Sequence, residues 1–198
     1  MMRIVHLGDL DVVLPLAAAL AAWLFAAGAW RTALRWGLCF GAAVMLVGAS
    51  KIAFLGWGTG LAAFEFKAVS GHATVVTALY PVAAWVLLYR PGVSAACIGF
   101  GTALGLGVAI AMLLVVGEEH TFAEAASGWL LGAAVSVAGV AWSHDLRTAR
   151  LLPGLWWSLP VFAIGAWLMQ SAHVGYWMVK LALALSGNSH PHSWDTCG

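Results

Sequence analysis

Six long apolar runs constrain what this chain can fold into more than any other feature. A helix needs about 20 apolar residues to cross the hydrocarbon core of a membrane. The chain is 63% hydrophobic and only 9% charged, whereas a soluble domain carries roughly 25% charged residues. The sequence therefore predicts one all-α domain over residues 1–198, an integral membrane helical bundle. The expected spans are 12–30, 32–49, 72–89, 93–116, 122–142 and 154–171.

The segment 173–186 that follows the sixth run is also apolar, but it carries His173 and Lys180. Because only a very short turn separates it from the sixth run, we expect an amphipathic helix that lies along the membrane interface, not a seventh span. The tail that follows, residues 188–198, is polar. It is expected to be mobile.

The charged residues divide unequally between the two sets of connections. Under the predicted topology one set carries a single acidic residue, Asp145, against five arginines, whereas the other set and both termini carry more acidic than basic residues. The positive-inside tendency places the arginine-rich set in the cytoplasm. We therefore expect a protein of the bacterial inner membrane with both termini on the outer, periplasmic face. The five arginines are Arg31, Arg35, Arg90, Arg147 and Arg150.

A polar segment from Lys51 to His72, the first polar segment, interrupts the apolar runs on the predicted outer side. It carries Glu65 and Lys67 and ends in Ser70-Gly71-His72, directly before the third run. The N-terminus of a helix offers free backbone N–H groups and the positive end of the helix dipole, and both favour an anion. Ser70 is also a preferred N-cap residue, so helix capping alone would explain the tripeptide.

The second polar segment, residues 117–124 (GEEHTFAE), opens the fifth run on the same predicted side. Thr121 and Glu124 match a T-x-x-E capping box, which explains Glu124 without any further function. Glu124 also lies one helical turn beyond His120 and can accept a hydrogen bond from its ring. The two segments together therefore indicate more than capping, and we expect them to meet and to bind a phosphate.

Chemistry on a phosphate ester requires the groups that these two segments supply. One imidazole, held in a single tautomer, acts as the nucleophile, and a second imidazole donates a proton. Backbone N–H groups and cations stabilise the charge on the phosphate oxygens. His120 and His72 provide the two imidazoles. The net charge of +1 argues against a nucleic-acid partner.

The order of these residues resembles the motifs of the type-2 phosphatidic acid phosphatase superfamily. Lys51 comes first, Ser70-Gly71-His72 follows, and His120 has an acid four residues later. The helix after it carries Gly-Trp-Leu-Leu-Gly at 128–132. The resemblance covers the chain from about Lys51 to Gly132.

The resemblance implies a role for each of these residues. His120 would form a phosphohistidine, Glu124 would orient it in place of the family's aspartate, and His72 would protonate the leaving oxygen. The substrate would be a membrane lipid phosphate or diphosphate, approached from the outer face, and no metal or other cofactor is expected. The residues that would hold the phosphate are Lys51, Ser70 and Gly71.

Two arginines of the family motifs have no counterpart in this chain. No Arg-Pro follows Lys51, and Leu113 and Leu114 stand where the motif has Ser-Arg. Positioned cations supply much of the catalysis in phosphoryl transfer. We therefore expect Lys67 to face the phosphate beside Lys51.

Three functions are compatible with these residues. The first is a phosphatase or phosphotransferase that acts on an isoprenyl or glycerolipid phosphate. The second is a non-catalytic relative that binds a lipid head group or a partner protein, which the missing arginines favour. The third is a metal site, since two histidines with carboxylates suit zinc; its ligands would be His72, His120 and Glu124, with Glu118 or Glu119 as a further candidate. The retained histidines favour the first, and the sequence predicts neither the lipid chain nor an oligomeric state.

Overall fold

The computed structural model describes residues 8–89, 92–141, 143–147, 149 and 151–193. These residues form seven helices, two short 3-10 turns (Ala62–Phe64 and His144–Arg147) and no β-strand, apart from one isolated bridge between Leu61 and Phe66. The predicted all-α class is confirmed. The helices are α1 (Leu10–Ala26), α2 (Trp30–Trp57), α3 (Gly71–Leu88), α4 (Val93–Val116), α5 (Phe122–Ala141), α6 (Leu151–Met169) and α7 (Val174–Ser186).

Five helices, α2 to α6, are long and apolar enough to cross a membrane. Helix α1, with 17 residues, is at the lower limit of a spanning helix. Helix α7 has 13 residues and is only about 20 Å long at about 1.5 Å per residue. It packs against α2 and exposes Tyr176 and Trp177, as an amphipathic helix at the interface does. The predicted membrane bundle is confirmed.

Helix α2 is longer than predicted, because it continues from residue 49 to Trp57. Lys51 is therefore part of a helix and not the start of a loop. The helix ends only at Gly58, whose φ of +65° is the left-handed conformation of a typical C-cap glycine and whose N–H donates to the Phe54 carbonyl. The first polar segment is thus a loop only between residues 58 and 70.

Residues 188–192 of the polar tail pack against the end of α2. The Asn188 side-chain amide donates to the Gly56 carbonyl at 2.7 Å, and the His192 N–H donates to the Leu55 carbonyl at 2.8 Å. The His192 ring packs edge-on against Phe54. The last turn of a helix leaves carbonyls without intrahelical partners, and the tail satisfies two of those in α2.

Some predictions fall on residues outside the described ranges. These are residues 194–198 of the tail, Trp142 at the end of the predicted fifth span, and Arg90 and Arg150 among the arginines. The sixth predicted span, 154–171, instead runs from Leu151 to Met169.

Helix α3 lies at the centre of the bundle and packs most extensively against α4 and α5. Two glycines of α5 allow its backbone to lie directly on α3. A Cβ on Gly128 would be 2.5 Å from the Ser70 carbonyl oxygen, and a Cβ on Gly132 would be 2.8 Å from Thr77 Cβ. Small residues four apart permit this close approach of membrane helices. The contact brings the first turn of α5 against the first turn of α3.

The two polar segments lie at the same end of the bundle, as predicted. Their backbones are joined there, because the Ser70 N–H donates to the Glu124 carbonyl at 3.1 Å. At the opposite end, Asp145 accepts hydrogen bonds from the Arg31 and Thr32 N–H groups at the start of α2. This is the end that carries the arginine-rich connections.

Candidate active site

His120 lies immediately before α5 and is oriented by Glu124. Its Nδ1 is 2.9 Å from Glu124 Oε2. With Nδ1 engaged by the carboxylate, Nε2 is the ring nitrogen that can act as a nucleophile. The predicted pairing of these two residues is present.

The same carboxylate also forms the capping box, so both of the predicted hydrogen-bonding arrangements of Glu124 are present. Glu124 Oε2 accepts from the Thr121 N–H at 3.3 Å, and Thr121 Oγ1 accepts from the Glu124 N–H at 3.4 Å. Glu124 Oε1 accepts from the N–H groups of Lys67 at 2.8 Å and Ala68 at 3.4 Å. Glu124 is only 5% exposed. It therefore ties the first polar segment to the histidine of the second.

The turn between α4 and α5 fixes the position of His120 from the other side. The N–H groups of Glu119 and His120 both donate to the Leu114 carbonyl, at 3.0 and 3.2 Å, and Glu118 adopts a φ of +58°. Leu114 is 1% exposed and packs with Val76 and Ile110. The position where the family motif has arginine is therefore part of the apolar core, where an unpaired guanidinium would be costly.

His72 lies in the first turn of α3, and its Nε2 is 3.1 Å from Asp9 Oδ1. Asp9 directly precedes α1. No motif in the sequence indicates that Asp9 belongs to the site. The two residues are 63 positions apart, and an aspartate before an apolar run indicates only a helix N-cap. No local spacing could have connected the pair.

The two histidine rings face one another across the site. Their centroids are 6.5 Å apart, with an angle of 57° between the ring planes. The expectation that His72 and His120 lie close together is met.

Lys51 reaches the N-terminus of α3 from the neighbouring helix α2. Its Nζ is 3.8 Å from the position that a Cβ on Gly71 would occupy. Ser70 is fully buried, and its Oγ accepts from the Ala73 N–H. Its side chain therefore caps α3, while Lys51 brings a positive charge to the same turn.

A cavity of about 390 Å³ opens beside His120 and is lined by residues of both polar segments. Lys67 contributes to its wall, whereas Lys51 and His72 do not line it. Glu65, Glu118 and Glu119 also line it and are exposed. Three carboxylates beside an anion site oppose the binding of a phosphate.

An apolar groove of about 260 Å³ adjoins this cavity between α4 and α5. The two share Val115 and Phe122 in their walls. Further along, the groove is lined by aliphatic side chains and Trp129. It therefore leads from the polar cavity along the apolar surface of the bundle.

The described residues contain no group of three or more His, Cys, Asp and Glu side chains placed to hold a metal ion. The metal-site interpretation of His72, His120 and Glu124 therefore has no geometric support among them. Each histidine is instead paired with its own carboxylate.

Comparison with known proteins gives one relative. The chain is 38% identical over 132 residues to a protein of Klebsiella pneumoniae named "Uncharacterized 22.5 kDa protein in cps region". The match covers 65% of this chain and 62% of the relative, so the chain spans less than two thirds of the length of that protein. No family model matches the chain. No solved structure matches it either.

Proposed function

We propose that this protein is a membrane lipid phosphatase or phosphotransferase of the type-2 phosphatidic acid phosphatase kind. It acts on a phosphate monoester or diphosphate of an isoprenyl lipid or a glycerolipid. The observation that carries the proposal is the pair of facing imidazoles 6.5 Å apart, one of them oriented by a buried carboxylate. This arrangement suits nucleophilic catalysis followed by proton transfer.

In the proposed reaction His120 Nε2 attacks the phosphorus, and the bond from phosphorus to the lipid oxygen breaks. His72 donates a proton to that oxygen, which leaves as an alcohol or, from a diphosphate, as the lipid monophosphate. Water then attacks the phosphohistidine while His72 takes back a proton, and inorganic phosphate departs. Glu124 stabilises the positive charge that His120 acquires as it attacks. In a phosphotransferase, a second lipid hydroxyl takes the place of water.

The negative charge of the phosphate is stabilised by the N-terminus of α3 and by two lysines. The N–H groups at Gly71 and His72 belong to the first turn of α3, where backbone donors and the helix dipole favour an anion. Lys51 approaches this turn, and Lys67 lines the cavity. The two lysines take the place of the arginines that the family motifs contain.

The lipid chain of the substrate lies in the apolar groove between α4 and α5. The groove begins at Val115 and Phe122, which also line the polar cavity, so one molecule can place its phosphate beside His120 and its hydrocarbon chain along the bundle. The distribution of arginines supports a bacterial inner-membrane location with this cavity on the periplasmic face.

Phosphate release by the purified protein tests the proposal. The protein and its His120→Ala variant are purified in detergent and offered phosphatidic acid, an isoprenyl phosphate and an isoprenyl diphosphate. We expect the wild type to release phosphate from at least one lipid and the variant to lose at least about a thousandfold in turnover, as loss of a catalytic nucleophile does. Equal release by both proteins would contradict the proposal.

A non-catalytic relative that binds a lipid head group or a partner protein is the second candidate. The exposed carboxylates of Glu65, Glu118 and Glu119 around the cavity favour it, because they repel a phosphate dianion. Under this hypothesis the wild type binds lipid phosphates in a vesicle-binding assay, releases no phosphate, and binds equally well after His120→Ala.

A further inference from the structure

We infer that Asp9 is a positioning residue for His72, so that the site contains two histidine–carboxylate pairs that act on the same phosphate. The inference rests on the proposed function. Asp9 belongs to no motif of the resemblance, and it is supplied by the segment that leads into α1.

Asp9 occupies the N-cap position of α1, but its side chain is directed to His72 and does not cap the helix. Aspartate is a preferred N-cap residue, and the Asp9 backbone has extended N-cap geometry while its carbonyl accepts from the Val12 and Val13 N–H groups. Its carboxylate nevertheless makes no capping hydrogen bond to α1. The carboxylate instead contacts His72 Nε2 at 3.1 Å.

Gly8, the residue before Asp9, brings the segment that leads into α1 directly against the His72 ring. Gly8 is buried, and a Cβ on it would lie 3.1 Å from His72 Cδ2 and 3.2 Å from Val76 Cγ2. A side chain at this position would crowd the ring, so glycine lets the backbone pass close to it. The contact between Asp9 and His72 is part of a packed interface between the start of α1 and the first turn of α3.

The hydrogen bond determines which nitrogen of His72 can serve the reaction. With Nε2–H donated to Asp9, the nitrogen that exchanges a proton with the lipid oxygen is Nδ1. The proton passes from Nδ1 to the lipid oxygen as the phosphorus–oxygen bond breaks. Nδ1 then receives a proton from the attacking water. Asp9 fixes the orientation and the tautomer of the ring, and it does not touch the substrate.

A comparison of two leaving groups tests this role. A lipid alkoxide must be protonated as it leaves, whereas 4-nitrophenolate leaves without a proton, so only the first substrate needs a general acid. We expect Asp9→Asn to lower kcat for phosphatidic acid about 30- to 100-fold, near the lower end of general acid effects. We expect turnover of 4-nitrophenyl phosphate to change less than about threefold. His72→Gln should show the same selectivity, and Asp9→Glu should restore part of the lost activity.

Asp11→Asn is the matched control, because Asp11 is exposed in the first turn of the same helix. It removes the same charge, and both substrates should be turned over as by the wild type. Equal losses on both substrates in Asp9→Asn, with a lowered melting temperature, would assign Asp9 to structure alone and overturn the inference. Faster turnover in Asp9→Asn would mean that Asp9 obstructs His72, which also overturns it.

The failure of the proposed function is separable from the failure of this inference. If the wild type releases no phosphate from either substrate, the proposed function and the inference fail together. If release depends on His120 but Asp9→Asn does not discriminate between the leaving groups, only the role of Asp9 is refuted.

Discussion

The two histidine–carboxylate pairs of the site have similar hydrogen bonds and very different surroundings. His120 and Glu124 are 2.9 Å apart within a single helical turn, and the Glu124 side chain is 6% exposed. His72 and Asp9 are 3.1 Å apart but come from distant parts of the chain, and the Asp9 side chain is 38% exposed. The pair of His120 and Glu124 is buried and joins residues that are close in the sequence. The pair of His72 and Asp9 is accessible to water and joins residues that only the fold brings together.

The difference matches the two tasks in the proposed reaction. A nucleophile must be held in one tautomer and one direction, and a buried carboxylate with several backbone donors is rigid enough to do this. A general acid must exchange protons with water between turnovers, so its partner benefits from access to solvent. An exposed charge pair is also screened by water and contributes less to stability. We therefore expect changes to the enclosed pair to have the larger effects.

Glu124→Gln should have the largest effect, because it disrupts the enclosed pair. The amide has one acceptor oxygen, so it cannot serve both His120 and the N–H of Lys67. We expect kcat to fall about a thousandfold, equivalent to about 4 kcal/mol in activation free energy. Steady-state kinetics on the preferred lipid measures this.

Glu119→Gln is the control for that substitution, because Glu119 lines the same cavity and is exposed. It removes one negative charge near the phosphate, so KM should fall or stay constant while kcat is retained. Near-normal turnover in Glu124→Gln would show that capping is the only role of Glu124.

Gly128→Ala tests whether the packing of α5 on α3 encloses the pair formed by His120 and Glu124. A Cβ there would lie 2.5 Å from the Ser70 carbonyl oxygen, so the helices must separate. Overpacking of this kind costs about 1–3 kcal/mol, and the melting temperature in detergent should fall clearly. Gly105→Ala, on the open face of α4 with no neighbour within 4 Å, should leave it nearly unchanged. Equal stability of the two variants would contradict the packing argument.

Replacement of Lys51 and Lys67 tests whether these two cations hold the phosphate between the two histidine–carboxylate pairs. If Lys51 and Lys67 both face the phosphate, Lys51→Met and Lys67→Met should each lower kcat/KM about 10- to 100-fold, or about 1.4–2.7 kcal/mol. Lys180→Met is the control, since Lys180 lies over the rings of Tyr176 and Trp177 on α7. Normal kinetics in Lys67→Met would remove Lys67 from the site, and normal kinetics in both variants would contradict the proposal that the two lysines replace the arginines of the family motifs.

Thr121→Ala should have the smallest effect, because it removes the capping half of the Glu124 network and leaves the bond to His120. Loss of an N-cap hydroxyl costs about 1 kcal/mol of stability, while kcat should change less than twofold. Thr102→Ala, at an exposed position within α4, should leave stability and activity unchanged. A large loss of kcat in Thr121→Ala would show that the cap and the orientation of His120 are coupled.

Local patterns in the sequence were sufficient to predict the helices and one of the two histidine–carboxylate pairs. The apolar runs predicted the helices, because a membrane helix satisfies its own backbone and needs only length and apolarity. The four-residue spacing of His120 and Glu124 predicted their hydrogen bond, because side chains one turn apart lie on the same face. The predicted end of α2 was wrong, since the apolar residues around Lys51 extend the helix to Trp57.

The sequence by itself determined the class of fold, the order of the helices, and the pair that lies within one helical turn. Only the tertiary structure decided that Asp9 lies on His72, that Leu114 is in the core, and that the tail caps α2. Each of these contacts joins residues that are far apart in the chain or depends on which face of a helix is covered. Packing between whole helices sets such contacts, and Gly8 and Gly128 permit two of the close approaches.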